Sequence, residues 1–359
     1  MGLFKKRVKK EEKSSTPKGH HVLTIETINH LTSDTVEIQL NVPSELASIF
    51  RFIPGQYLNF SIEINGKEER RSYSICSGKN ESLAVAVKKI EKGIVSNWFK
   101  NSAVVGQEIY VTPPNGNFVL SKEINIVAIA AGSGITPILA IAKEIEASED
   151  GKMTLFYGNK TENNIVFKST LDGLKNTSVH HYLSQEEKEG CVHGRITKES
   201  FTEALKANLN LLKADGFYIC GPEDLIFDMR DTLKLFGVAE EKIHFELFTT
   251  PTHHTKESHL PTSNFTGNSK VTVLIEGEEF KFDLEAKGKT ILEKADKEGA
   301  DVPYSCRGGV CSTCKAKVLS GKAVMDINYS LTDKEIEEGF ILTCQSHPAS
   351  DELTVTYDV

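Results

Sequence analysis

Four cysteines carry the plainest chemistry in this sequence. Cys306, Cys311 and Cys314 stand in YSCRGGVCSTC at C-x4-C-x2-C spacing, and Cys344 follows much later in LTCQSHP. Three thiolates on one tight loop and a fourth from elsewhere can hold two irons, and this is the plant-type [2Fe–2S] spacing. Gly308 and Gly309 let such a loop curl closely and turn amide hydrogens toward sulfur. A structural zinc site usually takes two C-x2-C pairs, which this is not. Disulfides fit poorly with a chain that shows no secretion signal, and four inert buried thiols would leave the glycines unexplained. Cys76, Cys191 and Cys220 are scattered and need not pair.

Other stretches have the residue types that a redox ring and its phosphates require. Arg71-Ser72-Tyr73-Ser74 follows Pro54-Gly55-Gln56-Tyr57 in a strand-rich region. Tyr73 could lie flat against a ring, Ser74 could donate near its reactive nitrogen, and Arg71 could meet a phosphate. Taken alone, R-S-Y-S is equally a polar strand end. Gly93-Ile94-Val95-Ser96-Asn97 is a glycine-led turn opening a helix, whose free amides and dipole suit a pyrophosphate; an ordinary helix start capped by Ser96 is the plainer alternative. Ala131-Gly132-Ser133-Gly134-Ile135-Thr136-Pro137 follows an apolar run and has two of the dinucleotide-fold glycines, with Pro137 where the third would stand. Proline is tolerated in a first helical turn. Tyr218-Ile219-Cys220-Gly221-Pro222 ends a later strand, so Gly132 and Cys220 would share the ligand-binding edge of one sheet. A small buried core residue is the commoner fate of a free cysteine.

These motifs need three kinds of scaffold. From His21 to about residue 122, short alternating runs such as HVLTIETI, TVEIQLNV and QYLNFSIEI predict an all-β barrel or sandwich. From Glu123 to residue 249 the pattern changes to strands (INIVAIAAG, MTLFYGN, SVHHYLS, GFYICG) alternating with helices (ITPILAIAKEIEAS, KESFTEALKANL, EDLIFDMRDTLKLFG), which predicts a parallel sheet covered by helices. Residues 250–269, rich in Thr, Ser, His and Pro, read as a linker, with His253, His254 and His259 solvated rather than metal-bound. From Lys270 onward, KVTVLIEG, EEFKFDL, the helix TILEKADKEG and a last strand ELTVTYDV frame the cysteine loop. Residues 1–20 read as a basic, disordered tail. The net charge of -8 argues against general nucleic-acid binding. No apolar run approaches membrane-spanning length, and a cytoplasmic setting is expected. Residues 270–359 hold 11 basic and 17 acidic side chains, a net of -6, so a docking partner should be basic at the contact.

Taken together, RSYS, GIVSNW, AGSGITP and YICGP resemble the ferredoxin–NADP reductase superfamily over nearly everything after the tail. The resemblance implies a multidomain chain of α+β and α/β parts: a Greek-key β-barrel flavin domain (21–122), an α/β nucleotide domain (123–249) and a β-grasp [2Fe–2S] ferredoxin domain (270–359). It implies FAD held by Gln56, Tyr57, Arg71, Ser72, Tyr73, Ser74, Gly93, Ile94, Val95 and Ser96, with Phe248 and Glu246 in HFELF closing over the ring. It implies a nicotinamide dinucleotide at Gly132, Gly134, Thr136, Pro137, Cys220, Gly221 and Pro222, with Ser74, Cys220 and Glu246 as the residues at the reacting centre. Lys160, just after FYGN, could meet a 2′-phosphate, which favours NADPH over NADH; a solvated turn residue is the alternative. The domain order is similar to that of the oxygenase reductases, in particular those that serve phenylacetyl-CoA epoxidase. Benzoate-type reductases carry the ferredoxin first; phthalate-type reductases share this order but bind FMN, whereas the GIVSNW loop favours FAD. The expected activity is transfer of electrons from NADPH through FAD and [2Fe–2S] to an oxygenase component, with a di-iron, multi-subunit oxygenase as the leading candidate. A reductase for a Rieske oxygenase, a desaturase or a stand-alone cluster enzyme, and a non-catalytic redox sensor, are the alternatives.

Overall fold

The structure is a computed structural model that describes residues 16–252 and 262–358. Its first unit is an antiparallel sheet of β1 (His21–His30), β2 (Thr35–Asn41), β3 (Tyr57–Ile64), β4 (Lys67–Ser74), β5 (Ala84–Lys88) and β6 (Glu108–Val111), in the order β4-β3-β6-β1-β2-β5. A bridge between Ile75 and Val85 brings the two ends together, so the sheet curls into a barrel. Alternate positions such as Leu23, Ile25, Val36, Ile38, Leu58 and Phe60 fill its interior, the period-2 burial expected of curved strands. Helix α1 (Ile94–Asn101) caps one end. There Trp98 meets Phe99 edge-on at 5.1 Å, and Phe99 meets Tyr73 at 5.6 Å.

The second unit is a wholly parallel sheet. Its elements are β7 (Asn125–Ala131), α2 (Ile135–Ala147), β8 (Lys152–Asn159), α3 (Lys168–Asp172), β9 (Thr177–Leu183), β10 (Val192–His193), α4 (Lys198–Ala207), β11 (Gly216–Cys220), α5 (Glu223–Leu235) and β12 (Ile243–Glu246). The strand order β10-β9-β8-β7-β11-β12 reverses direction between β7 and β11. That switch point, at the carboxyl ends of the strands, is where open α/β sheets bind ligands. β7 and β11 are buried on both faces, which is why they read as continuous apolar runs.

The third unit mixes parallel and antiparallel pairing. It contains β13 (Asn268–Ile275), β14 (Glu278–Glu285), α6 (Ile291–Lys297), β15 (Lys315–Ser320), β16 (Ala323–Met325), α7 (Asp333–Glu337), β17 (Phe340–Leu342), β18 (Ser346–Pro348) and β19 (Glu352–Thr356). Five strands form the sheet β14-β13-β19-β15-β17, with β13 and β19 parallel. Capping boxes at Thr290 and Thr332 start α6 and α7.

Two expectations need correction. Residues 16–20, read as the end of a disordered tail, are folded: the Lys18 amide donates to Asp301 at 2.9 Å, its ammonium to Glu278 at 2.7 Å, and His20 is buried. The linker reading also fails at its flanks. Thr250 donates to the Gly308 carbonyl at 3.2 Å, the Thr252 amide donates to Glu223 at 2.8 Å, and β13 begins at Asn268. His253, His254 and His259 lie outside the described residues, as do residues 1–15 of the expected tail. Among the described residues, no helix is long and apolar enough to cross a membrane.

Candidate electron-transfer site

All three units contribute to one cavity of about 370 Å³, within the usual size of a small-molecule site. The barrel supplies Tyr57, Arg71, Ser72, Tyr73 and Ser74 from its paired strands β3 and β4. The start of α1 supplies Gly93, Ile94, Val95 and Ser96. The nucleotide unit adds Ser133, Thr136, Glu246 and Phe248, and the cysteine loop adds Ser305, Cys306, Val310 and Cys311.

The wall formed by α1 suits a pyrophosphate. No side chain caps this helix at Gly93, so its first amides remain available to a ligand. Ser96 does not act as the cap; its hydroxyl accepts from the Ile90 amide at 3.2 Å and leans on the Gly93 carbonyl. The left-handed residue of the turn is Lys92 (φ 62°), not Gly93. Glycine at 93 keeps this turn close-packed: a Cβ there would meet Ser96 Oγ at 2.5 Å and displace that hydroxyl. Lys88 and Lys92 bring two cations to the same wall. Sequence reasoning passed over both, although KKIEKG carries a cationic signal directly before GIVSNW.

At the ring end, Ser74 Oγ donates to Glu246 Oε2 at 3.0 Å. Burial pushes the Glu246 carboxyl up to about 8, against the opposing effect of the Ser74 hydroxyl. Cys220 pairs in register with Glu246 across β11 and β12. It is fully buried, and burial together with the nearby Glu246 holds its thiol well above the ordinary range. Tyr73 is locked edge-on by Phe60 and Phe99. Arg71 is half-exposed and lies 3.4 Å from Glu69, a loose pair that a phosphate can displace.

The remaining nucleotide residues lie outside this cavity, at the switch point. Gly132 is left-handed (φ 55°), and its carbonyl accepts from Tyr157 Oη at 3.2 Å. A Cβ on Gly134 would collide with the Cys220 carbonyl, so this glycine is what lets α2 approach β11. No side chain caps α2, which leaves its opening amides beside Thr136 and Pro137 available. The pairing of Ala131 with Gly158 places the end of β8, and exposed Lys160 just beyond it, next to the same loop. Gly221 and Pro222 link β11 to α5. The structure does not bring the Gln56 side chain to the cavity. Its Oε1 accepts from the Ile53 amide at 2.9 Å and stabilises the local turn.

The three loop cysteines and Cys344 are turned toward one another in pairs. Cys306 shares a hydrogen bond with Cys311, and Cys314 shares one with Cys344; Cys306 also meets Cys344. These shared bonds lower the Cys306 and Cys314 thiols and raise those of Cys311 and Cys344. Among the described residues, no three His, Cys, Asp or Glu side chains converge on a single metal-ion position, and a pairwise arrangement is what two irons require. Polar hydrogens surround the sulfurs. The Gly308 amide donates to Cys306 Sγ at 3.3 Å, the Cys306 amide to Cys311 Sγ at 3.4 Å, and Thr313 Oγ1 to Cys311 Sγ at 3.2 Å. Gly309 (φ 74°) and Arg307 (φ 53°) supply the curl.

Sequence reasoning missed how the loop docks on the barrel. Ser72 Oγ donates to Asn59 Oδ1 at 2.7 Å and lies 2.8 Å from Ser305 Oγ. Arg70, 5% exposed, donates to Glu68 at 2.6 Å and to Asp301 at 2.9 Å, and it stacks on Tyr304 at 4.6 Å. No local pattern announces contacts between the barrel and the cysteine loop, because the residues that make them are more than 200 positions apart.

Comparisons with known proteins agree with this geometry. Family models match as an oxidoreductase FAD-binding domain over residues 22–120, an oxidoreductase NAD-binding domain over 128–231 and a 2Fe-2S iron-sulfur cluster binding domain over 273–349. The chain is 37% identical to one subunit of the 1,2-phenylacetyl-CoA epoxidase of Escherichia coli (strain K12), covering 94% of this chain and 98% of that protein. It is 31% identical to the ferredoxin reductase component of 3-ketosteroid-9-alpha-monooxygenase from Mycobacterium tuberculosis (strain ATCC 25618 / H37Rv), over 95% and 98%. Among solved structures it is similar to phthalate dioxygenase reductase, with a TM-score of 0.61 and 25% identity over 95% of this chain and all of that one.

Proposed function

Because the chain belongs to the family of oxygenase-system reductases that join FAD-binding, NAD-binding and [2Fe–2S] domains, we propose that it delivers electrons from NADPH to a phenylacetyl-CoA ring epoxidase. It is an NAD(P)H-dependent electron-transfer oxidoreductase, and its family serves oxygenase partners. The observation that carries the finer reading is the match to a phenylacetyl-CoA epoxidase component along nearly the whole of both chains. Exposed Lys160 beside the switch-point loop supports NADPH, because a cation there can pair with a 2′-phosphate.

A bound FAD accepts two electrons as a hydride and releases them singly, which a [2Fe–2S] cluster can take up one at a time. The chain's own residues hold and screen these groups. The uncapped amides of α1, with Lys88, Lys92 and Arg71, would anchor the FAD phosphates. Tyr73, braced by Phe60 and Phe99, would form one wall for the ring, and Phe248, 42% exposed, lines the same cavity. Ser74 donates to Glu246 Oε2 and orients the carboxyl, which burial raises to about 8, so that it can hold a proton at its other oxygen, Oε1. Cys220 remains a neutral thiol beside that carboxyl. Cys306, Cys311, Cys314 and Cys344 would hold the cluster, with the loop amides directed at sulfur.

An anaerobic titration of the purified holoprotein with NADPH, and separately with NADH, tests this reading. Flavin and iron–sulfur absorbance should bleach together, with NADPH effective at the lower concentration. The reduced protein should then support turnover of a purified phenylacetyl-CoA epoxidase oxygenase component. Bleaching of the flavin alone would overturn the proposed route. Turnover with a different oxygenase and none with the epoxidase would overturn the assigned partner.

A further inference from the structure

We infer that the Thr313 hydroxyl is a redox-responsive contact, whose single hydrogen is shared between Asn59 of the flavin unit and Cys311 of the cysteine loop. The inference rests on the reading that the four cysteines hold a [2Fe–2S] cluster. Thr313 Oγ1 lies 3.3 Å from Asn59 Oδ1 and 3.2 Å from Cys311 Sγ. A hydroxyl has one hydrogen to donate, so a bond to one acceptor is made at the expense of the other.

The surroundings fix both alternatives. Asn59 is 2% exposed. Its Nδ2 donates to Thr112 Oγ1 at 3.2 Å while its Oδ1 accepts from Ser72 at 2.7 Å, which assigns the oxygen to the side facing the loop. Tyr57 Oη lies 3.4 Å from Thr313 Oγ1 and 3.5 Å from Ser312 Oγ. Tyr57 has one hydrogen for these two hydroxyls, and when it donates to Thr313 it fills a lone pair there and leaves that residue's hydrogen to Asn59 and Cys311. Asn59 and Cys311 therefore compete for it, one on each side of the interface between the flavin unit and the cysteine loop.

Electron arrival changes the balance. When the group held by Cys311 gains one electron, negative charge on the ligating thiolate sulfur rises further, and a hydrogen bond to it strengthens relative to one to the neutral amide oxygen of Asn59. The hydroxyl then rotates from Asn59 to Cys311. One electron is added, no covalent bond forms or breaks, and no proton leaves Thr313. Reduction thus removes one bond between the units. Linkage makes the effect reciprocal: docking on Asn59 disfavours reduction, and the bond to Cys311 favours it.

The test is an EPR-monitored redox titration of the full-length, cluster-loaded protein. Asn59→Leu frees the hydrogen for Cys311 and should raise the cluster midpoint potential. Thr313→Val removes the donor and should lower it, and Thr313→Ser should restore the wild-type value. Each shift should correspond to a severalfold change in the reduction equilibrium, where tenfold is 59 mV for one electron. Should Asn59→Leu not fold, resonance Raman spectra in H₂O and D₂O supply a second readout. The isotope shift of the Fe–S stretches should shrink in Thr313→Val and return in Thr313→Ser. Potentials that move in the same direction in both variants, or an unchanged isotope shift, overturn the shared hydrogen. A protein that shows no [2Fe–2S] signal on reduction overturns the reading of the cysteines instead, and the inference with it.

Discussion

Burial and a hydroxyl neighbour pull the Glu246 carboxyl in opposite directions, and burial wins, raising it from 4.5 to about 8. Between those values the folded chain keeps a proton that the unfolded chain has released. Stability attributable to this group therefore falls as pH rises through that window. Glu246→Gln abolishes the dependence, so its melting temperature relative to wild type should climb from pH 5 to pH 8 and level off above. A constant difference across that range would show that the carboxyl titrates normally. Ser74→Ala removes the one hydrogen bond that holds the Glu246 value down, and should move the transition still higher. The same variant should slow hydride transfer roughly fivefold, since one hydrogen bond contributes about 1 kcal/mol and 1.36 kcal/mol is tenfold in rate. Flavin content should stay near normal. Stopped-flow reduction at an undiminished rate would remove Ser74 from the reacting centre.

At the scale of elements, legibility followed locality. RSYS, GIVSNW and AGSGITP could be read because each is a short local signature: a strand end, a turn opening a helix, and a strand end running through a turn into a helix. The parallel strands β7 and β11 were equally plain, being apolar on both faces. The short β10, β12, β16, β17 and β18 were not, since two to four residues carry no usable periodicity and depend on their neighbours for pairing. Gln56 misled for a related reason: a polar side chain beside a strand start can serve its own turn as well as a ligand. Gly134 shows how an element-scale constraint hides in a motif. Its sequence context suggests phosphate binding, whereas its geometry lets α2 come close to the Cys220 carbonyl. Gly134→Ala should therefore cost about 1–3 kcal/mol through overpacking, read by chemical denaturation. Affinity for the nicotinamide dinucleotide should fall while flavin binding is preserved. A stable variant with full dinucleotide affinity would show that the approach is not tight.

For the whole molecule, the relation between units matters more than any one of them. Arg70 joins Glu68 in the barrel to Asp301 in the cysteine-bearing unit, and the Lys18 backbone reaches the same aspartate. The Arg70 guanidinium is buried while Glu68 and Asp301 are 40% and 39% exposed, so the two carboxylates pin the arginine across the junction, and this latch should hold the cluster loop against the flavin cavity. Arg70→Met keeps the packing of the stem and removes the charge. It should slow reduction of cytochrome c, which needs the cluster, and spare reduction of ferricyanide, which the flavin can perform. Equal losses in both assays would mean that the substitution harms the flavin unit itself. Trp98, the single tryptophan of the chain, belongs to the same view. It stands one ring removed from Tyr73 behind the cavity, and a flavin placed there absorbs at the wavelengths an indole emits. The protein thus contains its own optical gauge of cofactor occupancy: fluorescence excited at the indole should dim as FAD fills the apoprotein and recover as it leaves, without any label.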